Sequence, residues 1–123
     1  LSEGILPSSL SKLTQLQQLD VSDNFLNGAI PEWISELKQL TLLYLDKNRF
    51  SERIPTSLGS CTSLLRLKLH GNGLVGPIPR SLLNLRTLVE LYLPDDLEEH
   101  DSFAIKCSVV LPGLDLRFIS SLS

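Results

Sequence analysis

Aliphatic residues recur along the chain at one fixed interval, and the polar positions between them share this period. One series consists of Leu16, Leu40, Leu64 and Leu88. Two more series consist of Leu19, Leu43, Leu67 and Leu91, and of Val21, Leu45, Leu69 and Leu93. The pattern runs through three full units and part of a fourth. A fixed period of this length predicts a repeat architecture in which every unit forms one coil of a stack.

Each unit contains three local patterns. The L-x-L stretch alternates apolar and polar positions, as a half-buried strand does. The Ile-Pro step that follows favours extended backbone, because proline biases its predecessor away from helix. The L-x-x-L stretch that comes next fits a short 3₁₀ or helical turn. Because a single coil cannot bury its apolar face, neighbouring coils must stack, and their strands form one parallel sheet. The pattern therefore predicts an α/β solenoid.

An asparagine stands just after the strand in three consecutive units, at Asn24, Asn48 and Asn72. An inward-pointing amide at this turn can satisfy backbone groups that the sheet does not reach. We therefore expect these three residues to form a buried structural ladder along the stack.

The repeat defines a single domain that spans residues 1–123. Its units are a half coil at 1–15, full repeats at 16–39, 40–63 and 64–87, a degenerate repeat at 88–110 and a terminal cap at 111–123. The pattern weakens after Leu93, where Pro94 enters the strand and Glu98 takes a position that is apolar in the other units. The leucines of LPGLDL then restore the spacing with a step one position shorter than the regular period, which aligns Leu116 with Leu93. A last coil of this kind shields the apolar end of a stack.

The segment GNGLVG, at 71–76, has the spacing of a dinucleotide-binding fingerprint. Alignment of the units gives these glycines another origin. Gly76 occupies the position of Gly28, whereas Gly71 and Gly73 occupy variable positions of the repeat. We therefore expect no nucleotide and no other cofactor.

Composition and charge narrow the classes of function. A net charge of −3 gives no electrostatic basis for binding nucleic acid. No apolar run approaches the ~20 residues that span a bilayer, so no direct membrane insertion is expected. Two cysteines are too few for a disulfide framework or a zinc cage. Cys61 aligns with Leu37 and Leu85, which indicates a small buried apolar residue, with a Cys61–Cys107 bridge as the alternative.

Neither histidine has a nucleophile placed beside it in the pattern. His70 occupies a variable strand position that should face solvent, where it can pair with Asp46 of the neighbouring coil. His100 lies in the acidic segment DDLEEHD at 95–101, which lacks the residue order of an EF-hand loop. We interpret this segment as a solvated acidic loop. The alternative is a weak cation site. We expect neither an enzyme nor a metal site.

The variable positions around each L-x-L stretch project onto one face of the sheet. The central row contains Asp20, Tyr44, Lys68 and Tyr92, the row before it Gln18, Leu42, Arg66 and Glu90, and the row after it Ser22, Asp46, His70 and Pro94. Aromatic residues and arginine are enriched at binding hot spots. The predicted ligand-binding residues are Tyr44, Arg66, Lys68, Tyr92, His70, Asp46 and Leu42. The alternative is a solvated sheet face without a ligand.

The unit LQQLDVSDNFLNGAIPEWISELKQ, at 16–39, resembles one unit of the plant-type leucine-rich repeat. The stretch LGSCTSLLRLKL, at 58–69, resembles the matching part of receptor-like kinase ectodomains of that class. The resemblance implies a right-handed superhelix with a concave parallel sheet, short 3₁₀ or helical turns on the convex side and a second short strand after each asparagine. It also implies an extracellular or cell-surface location. The chain has no N-x-S/T sequon and no paired-cysteine cap, so an intracellular location remains open.

Family members of this type bind proteins, peptides, small hormones or cell-wall polymers, and some inhibit secreted enzymes. The sequence therefore favours a non-enzymatic module that recognises a protein or peptide on the concave face. One alternative is a structural or assembly role, in which coil ends of different copies stack and the chain self-associates end to end. Another is inhibition of a secreted enzyme.

Overall fold

A computed structural model describes residues 3–120, which wind through successive coils of a solenoid. The strands are β1 Glu3–Gly4, β2 Gln18–Asp20, β3 Phe25–Ala29, β4 Leu42–Tyr44, β5 Arg49–Ser51, β6 Arg66–Lys68, β7 Glu90–Pro94 and β8 Asp115–Ile119. The 3₁₀ turns are η1 Ser8–Lys12, η2 Glu32–Glu36, η3 Thr56–Ser60 and η4 Arg80–Asn84, and the α-helix α1 is His100–Val110.

The strands form two parallel sheets on adjacent sides of the solenoid. The concave sheet has the strand order β2-β4-β6-β7-β8, and a smaller sheet has the order β1-β3-β5. Leu19 pairs with Leu43 and Leu43 with Leu67, so the period of the sequence is the period of one coil. The predicted α/β solenoid is present. The second short strand that the resemblance implies is present as β3 and β5.

Each 3₁₀ turn follows a proline in extended conformation, as at Pro31 with φ −67° and ψ 139°. The backbone N–H of Leu37 donates to the carbonyl of Ile34 at 3.0 Å and closes the second turn. The turns lie opposite the concave sheet and bury one apolar side chain each in η2 and η4, at Ile34 and Leu82. The Ile-Pro and L-x-x-L patterns thus produce the convex side of each coil.

The core consists of aliphatic rows that run along the stack. Leu43, Leu67 and Leu91 are fully buried, and Phe50 fills the same kind of position in the second sheet. Cys61 is also fully buried, which confirms its interpretation as a small core residue, and its thiol lies 3.4 Å from the carbonyl oxygen of Ile34. Continuous burial of this kind is the main stabilising contribution in a solenoid.

The last coil differs from the alignment made from the sequence, which is wrong at this point. β8 pairs with β7 so that Leu116 lies beside Leu91 and not beside Leu93. More residues separate β8 from β7 than the regular period, because the convex side of this coil carries the 11-residue helix α1 instead of a five-residue 3₁₀ turn. Before the helix, Leu97 is buried in place of the aligned Glu98. The unit boundaries stay a prediction, and residues 1–2 and 121–123 of the half coil and the cap lie outside the described residues.

Two of the three glycines of GNGLVG adopt left-handed backbone at the turns of the repeat. Gly71 has φ 71°, and Asp23 and Lys47 at the same position of earlier coils both have φ 58°. Gly76 has φ 82°, and Glu52 adopts φ 65° at the corresponding position. Left-handed backbone is easy for glycine and costs other residues about 1–2 kcal/mol. The coil geometry therefore explains why Gly71 and Gly76 are present.

Candidate functional site

A column of alternating aromatic and cationic side chains crosses the concave sheet. Its members are Tyr44 on β4, Lys68 on β6, Tyr92 on β7 and Arg117 on β8, which lie side by side in register. Lys68 Nζ lies 4.4 Å from the centre of the Tyr44 ring and 4.9 Å from that of Tyr92. Arg117 Cζ lies 5.3 Å from the centre of the Tyr92 ring. A cation this close to a ring face is attracted by it, so the column holds its own side chains in place.

The carboxylate of Glu90 connects this column to the preceding row. Its Oε2 lies 3.5 Å from Arg66 Nη1, and its Oε1 lies 4.0 Å from Lys68 Nζ. The side chain of Arg66 is 50% exposed and that of Lys68 is 25% exposed. Arg66 therefore presents its guanidinium to solvent, whereas the ammonium of Lys68 is largely enclosed by the two rings and Glu90.

Five of the seven predicted ligand-binding residues share one accessible face. Leu42 pairs with Arg66 in the sheet, directly beside the pairing of Tyr44 with Lys68. Leu42, Tyr44, Lys68 and Tyr92 are half-buried, and Arg66 is exposed. Three neighbouring strands thus bring these residues together, and their arrangement exists only when the coils are stacked.

His70 and Asp46 are buried, so the expectation that His70 faces solvent is wrong. The two residues are 8% and 7% exposed, and His70 Nε2 lies 3.8 Å from Asp46 Oδ2. The ring of Tyr92 lies 5.6 Å from the imidazole, centre to centre, and covers it from the next strand. Within the described part of the chain, His70 Nδ1 and Asp46 Oδ1 have no hydrogen-bond partner.

Burial lowers the pKa of His70 below its ordinary value, and the Asp46 carboxylate acts in the opposite direction. Lys47 and Lys68 lower this pKa further. The imidazole is therefore neutral at neutral pH. This arrangement supports Tyr92 from beneath and leaves little of the buried pair for direct contact with another molecule.

Arg117 belongs to the column but was missed in the sequence. The regular period and the shorter spacing assumed for the last coil both predict a different residue opposite Tyr92. In the sheet, the spacing in sequence between Tyr92 and its partner Arg117 is one position longer than the period. The alternation of DLRFI at 115–119 was the available signal, since it places Arg117 on the same face as Asp115. The Asp115 carboxylate accepts a hydrogen bond from Arg117 Nε at 3.2 Å.

Two of the three asparagines at the strand ends, Asn48 and Asn72, bond across the coils, and only Asn48 is buried, so the expectation of a buried ladder of three is wrong for Asn24 and Asn72. Asn48 Nδ2 donates to the carbonyl of Val21 at 3.0 Å, and its Oδ1 accepts from the backbone N–H of Leu26 at 3.1 Å. Asn72 Nδ2 repeats the donation one coil later, to the carbonyl of Leu45. Asn24 Nδ2 donates to carbonyls of its own turn. These contacts hold the strand ends in place beneath the concave face.

The remaining candidate residues lie away from this face. Both cysteines are free and buried, and burial raises the pKa of Cys107 to about 11 and also raises that of Cys61. Their thiols are therefore protonated at neutral pH, and thiolate is the nucleophilic form. His100 Nδ1 lies 3.1 Å from the carbonyl oxygen of Leu97. Across residues 3–120, no group of three or more His, Cys, Asp or Glu side chains is arranged to hold a metal ion.

Comparison with known proteins identifies the class. Two models of the leucine-rich-repeat family match residues 3–50 and 63–85, together more than half of the chain. The chain belongs to the leucine-rich-repeat family, and its repeats are of the plant type. It is 46% identical over 46 residues to the receptor protein-tyrosine kinase CEPR2 of Arabidopsis thaliana. The matched region is 37% of this chain and 5% of the relative.

The solved structures that resemble it include plant receptor ectodomains and a plant ice-binding protein. The Arabidopsis receptor kinase HAESA, in complex with the peptide hormone IDA and the co-receptor SERK1, matches with a TM-score of 0.77 and 31% identity over 94% of this chain and 19% of that chain. The ectodomain of the Arabidopsis thaliana receptor kinase SOBIR1 matches with a TM-score of 0.75 and 32% identity. This match covers 95% of this chain and 63% of the SOBIR1 chain. The chain thus spans only a small part of the curated relative and at most about two thirds of these structures. None of the helices in the described part is long and apolar enough to cross a membrane.

Proposed function

We propose that this chain recognises a protein or peptide on its concave face, with the column Tyr44–Lys68–Tyr92–Arg117 and the neighbouring Arg66 as the contact surface. The observation that carries the proposal is the fixed position of the two tyrosine rings. Lys68 contacts both rings, and Arg117 covers the second ring from the far side. Side chains that are already held in place lose little conformational entropy when a partner binds.

The relatives support a partner of this class. HAESA is described in complex with a peptide hormone and a co-receptor, and this chain has the same fold with 31% identity. The curated relatives are receptor kinases and receptor-like proteins, which also supports an extracellular or cell-surface setting. The proposal concerns this segment of repeats, since the relatives are much longer proteins.

The charges of the face indicate how a partner would bind. Glu90 lies near the cations of Arg66 and Lys68, and Asp115 pairs with Arg117. The cations of the face are therefore partly neutralised before a partner arrives. We expect tyrosine burial to contribute much of the affinity and moderate salt to weaken binding only slightly.

A selection from a random peptide library displayed on phage tests the proposal. The 123-residue chain is the target, and Tyr92→Ala is the matched counter-target, since it removes one ring of the column and leaves the core leucines unchanged. Peptides selected on the unmodified chain are expected to bind the variant at least tenfold more weakly. Peptides that bind both proteins equally would show that the column is not the contact surface.

A further inference from the structure

We propose that the buried pair Asp46–His70 positions the ring of Tyr92 for partner binding only while His70 is neutral, so that the chain binds its partner more weakly as the pH falls. The inference rests on the proposed function, because it concerns a ring that we expect a partner to contact. His70 is then a positioning residue, which acts on the partner through Tyr92 and exposes only 8% of its own surface. Each of the three residues has a neighbouring coil on both sides, so these coils define its surroundings.

The imidazole and the carboxylate of this pair are close but not hydrogen-bonded. His70 Nε2 lies 3.8 Å from Asp46 Oδ2, whereas a hydrogen bond between a charged nitrogen donor and a carboxylate is about 2.7–2.9 Å long. Within the part of the chain that the structure describes, the other two polar atoms, His70 Nδ1 and Asp46 Oδ1, are buried without a hydrogen-bond partner. Packing alone therefore holds the neutral imidazole beside the carboxylate.

Protonation changes what the imidazole requires from its surroundings. Both ring nitrogens become donors, and the charged ring needs acceptors for them. A charge-assisted hydrogen bond to Asp46 would require Nε2 to move about 1 Å toward the carboxylate. Asp46 lies in the preceding coil and Tyr92 in the following one, where its ring centre is 5.6 Å from that of the imidazole at an interplanar angle of 53°. Movement toward the carboxylate therefore takes the imidazole away from the ring that it supports.

Burial and the surrounding charges together favour the neutral imidazole in the free chain. Burial is the largest effect and lowers the pKa of His70, and Asp46 of the preceding coil partly opposes it. Lys47 of the preceding coil and Lys68 of the same coil lower this pKa further, because both repel an imidazolium. From the following coil, the ring of Tyr92 packs on the imidazole, and this ring is already contacted by Lys68 Nζ at 4.9 Å from its centre. A second cation at the same ring would be repelled by the first.

A bound partner would strengthen the preference for neutral His70. A group that packs on Tyr92 excludes water from the ring and from the imidazole beneath it. Because loss of water disfavours the charged form of histidine, the complex binds a proton less readily than the free chain does. By linkage, the affinity is fully present above the pKa of His70 in the free chain. It is lost progressively as the pH falls through that value toward the lower pKa of the complex.

Two measurements test the inference, and the first requires no partner. In NMR spectra of the free, isotope-labelled chain, the ring signals of Tyr92 should shift with pH at the same midpoint as the imidazole signals of His70. Lys47→Gln removes a cation and should move this midpoint to higher pH, whereas Asp46→Asn removes the carboxylate and should move it to lower pH. His70→Gln should leave the ring signals of Tyr92 constant between about pH 5 and pH 8.

The second measurement is the affinity of a peptide with blocked termini, selected from a library that omits His, Asp and Glu. Between about pH 7.5 and pH 5, its affinity for the unmodified chain should fall at least threefold. His100→Gln is the matched control and should show the same fall, because the side chain of His100 is 40% exposed and lies outside the pair. His70→Gln should bind the peptide with an affinity that does not change over this range. Circular dichroism at each pH verifies that the coils remain folded.

Three results would overturn the inference. They are ring signals of Tyr92 that do not follow the titration of His70, an affinity that stays constant or rises at low pH, and an undiminished fall in His70→Gln. Equal peptide binding by Tyr92→Ala and the unmodified chain would instead refute the proposed function. The ring titration of the free chain does not depend on that result, so the two proposals can fail separately.

Discussion

The imidazole of His70 lies 3.8 Å from the carboxylate of Asp46, and the ring of Tyr92 packs against the imidazole. Burial lowers the pKa of His70, so the folded chain binds a proton at this site less readily than the unfolded chain does. The contribution of His70 to the free energy of unfolding is therefore fully present above the unfolded pKa of about 6.5. It is lost progressively as the pH falls below that value toward the lower pKa of the folded state.

We therefore expect the free energy of unfolding to be smaller at pH 5 than at pH 7.5, and His70→Gln to reduce the difference. Urea denaturation at about pH 5 and 7.5, on either side of the unfolded histidine pKa, measures the effect. His100→Gln is the matched control, because the side chain of His100 is 40% exposed. An unchanged pH dependence in His70→Gln would contradict this role of the buried pair.

The asparagine ladder gives a second prediction. Asn48→Ala removes a donor that contacts the carbonyls of Val21, Leu45 and Asp46 and leaves buried backbone groups unpaired. It should destabilise the fold by about 1–3 kcal/mol. Asn84→Ala changes an exposed residue at the end of η4 and should change stability by less than about 0.5 kcal/mol. Equal midpoints of urea unfolding for the two variants would exclude a structural role of the ladder amide.

A close backbone contact on the convex side gives a third prediction. A Cβ added at Gly59 would lie against the carbonyl group of Ser81, which is backbone and cannot rotate away. Gly59→Ala should therefore separate η3 from η4 and destabilise the fold by about 1–3 kcal/mol. Gly113→Ala is the control, since nothing lies within 4 Å of the added Cβ there. Thermal unfolding that is equally affected in both variants would rule out the contact as the cause.

Much of this arrangement was predictable from the sequence because a repeat fixes contacts between coils. The row Tyr44, Lys68 and Tyr92 follows from the period of the repeat alone, and the sheet places these residues side by side. Cys61 was likewise placed in the core by its alignment with leucines.

Where the period changes, the sequence no longer determines the register. Leu116 was assigned to the wrong partner and Arg117 was missed, because α1 replaces a 3₁₀ turn and lengthens the last step. The burial of His70 was missed for a different reason. Its position is a variable one in the repeat, and its cover comes from the ring of Tyr92 on the neighbouring strand. A pattern of single positions does not contain such a contact.

The two tyrosines give a prediction for binding. A library-selected peptide should lose at least tenfold in affinity with Tyr44→Ala or with Tyr92→Ala, since truncation of a buried anchor costs about 2–4 kcal/mol. Lys38→Ala is the control on the convex side, where Lys38 Nζ donates to the hydroxyl of Ser60. Isothermal titration calorimetry measures all three affinities. A larger loss of affinity with Lys38→Ala than with the tyrosine variants would place the peptide on the convex side and contradict the prediction.

The most direct test of the concave-face account is an NMR titration of the isotope-labelled chain with a selected peptide. The backbone amides of β4, β6, β7 and β8 should shift, with the largest changes at Tyr44, Lys68, Tyr92 and Arg117. The amides of η2 and η3 on the convex side should remain unchanged. Shifts confined to η1, α1 or the convex turns, with the four column residues unaffected, would contradict the account.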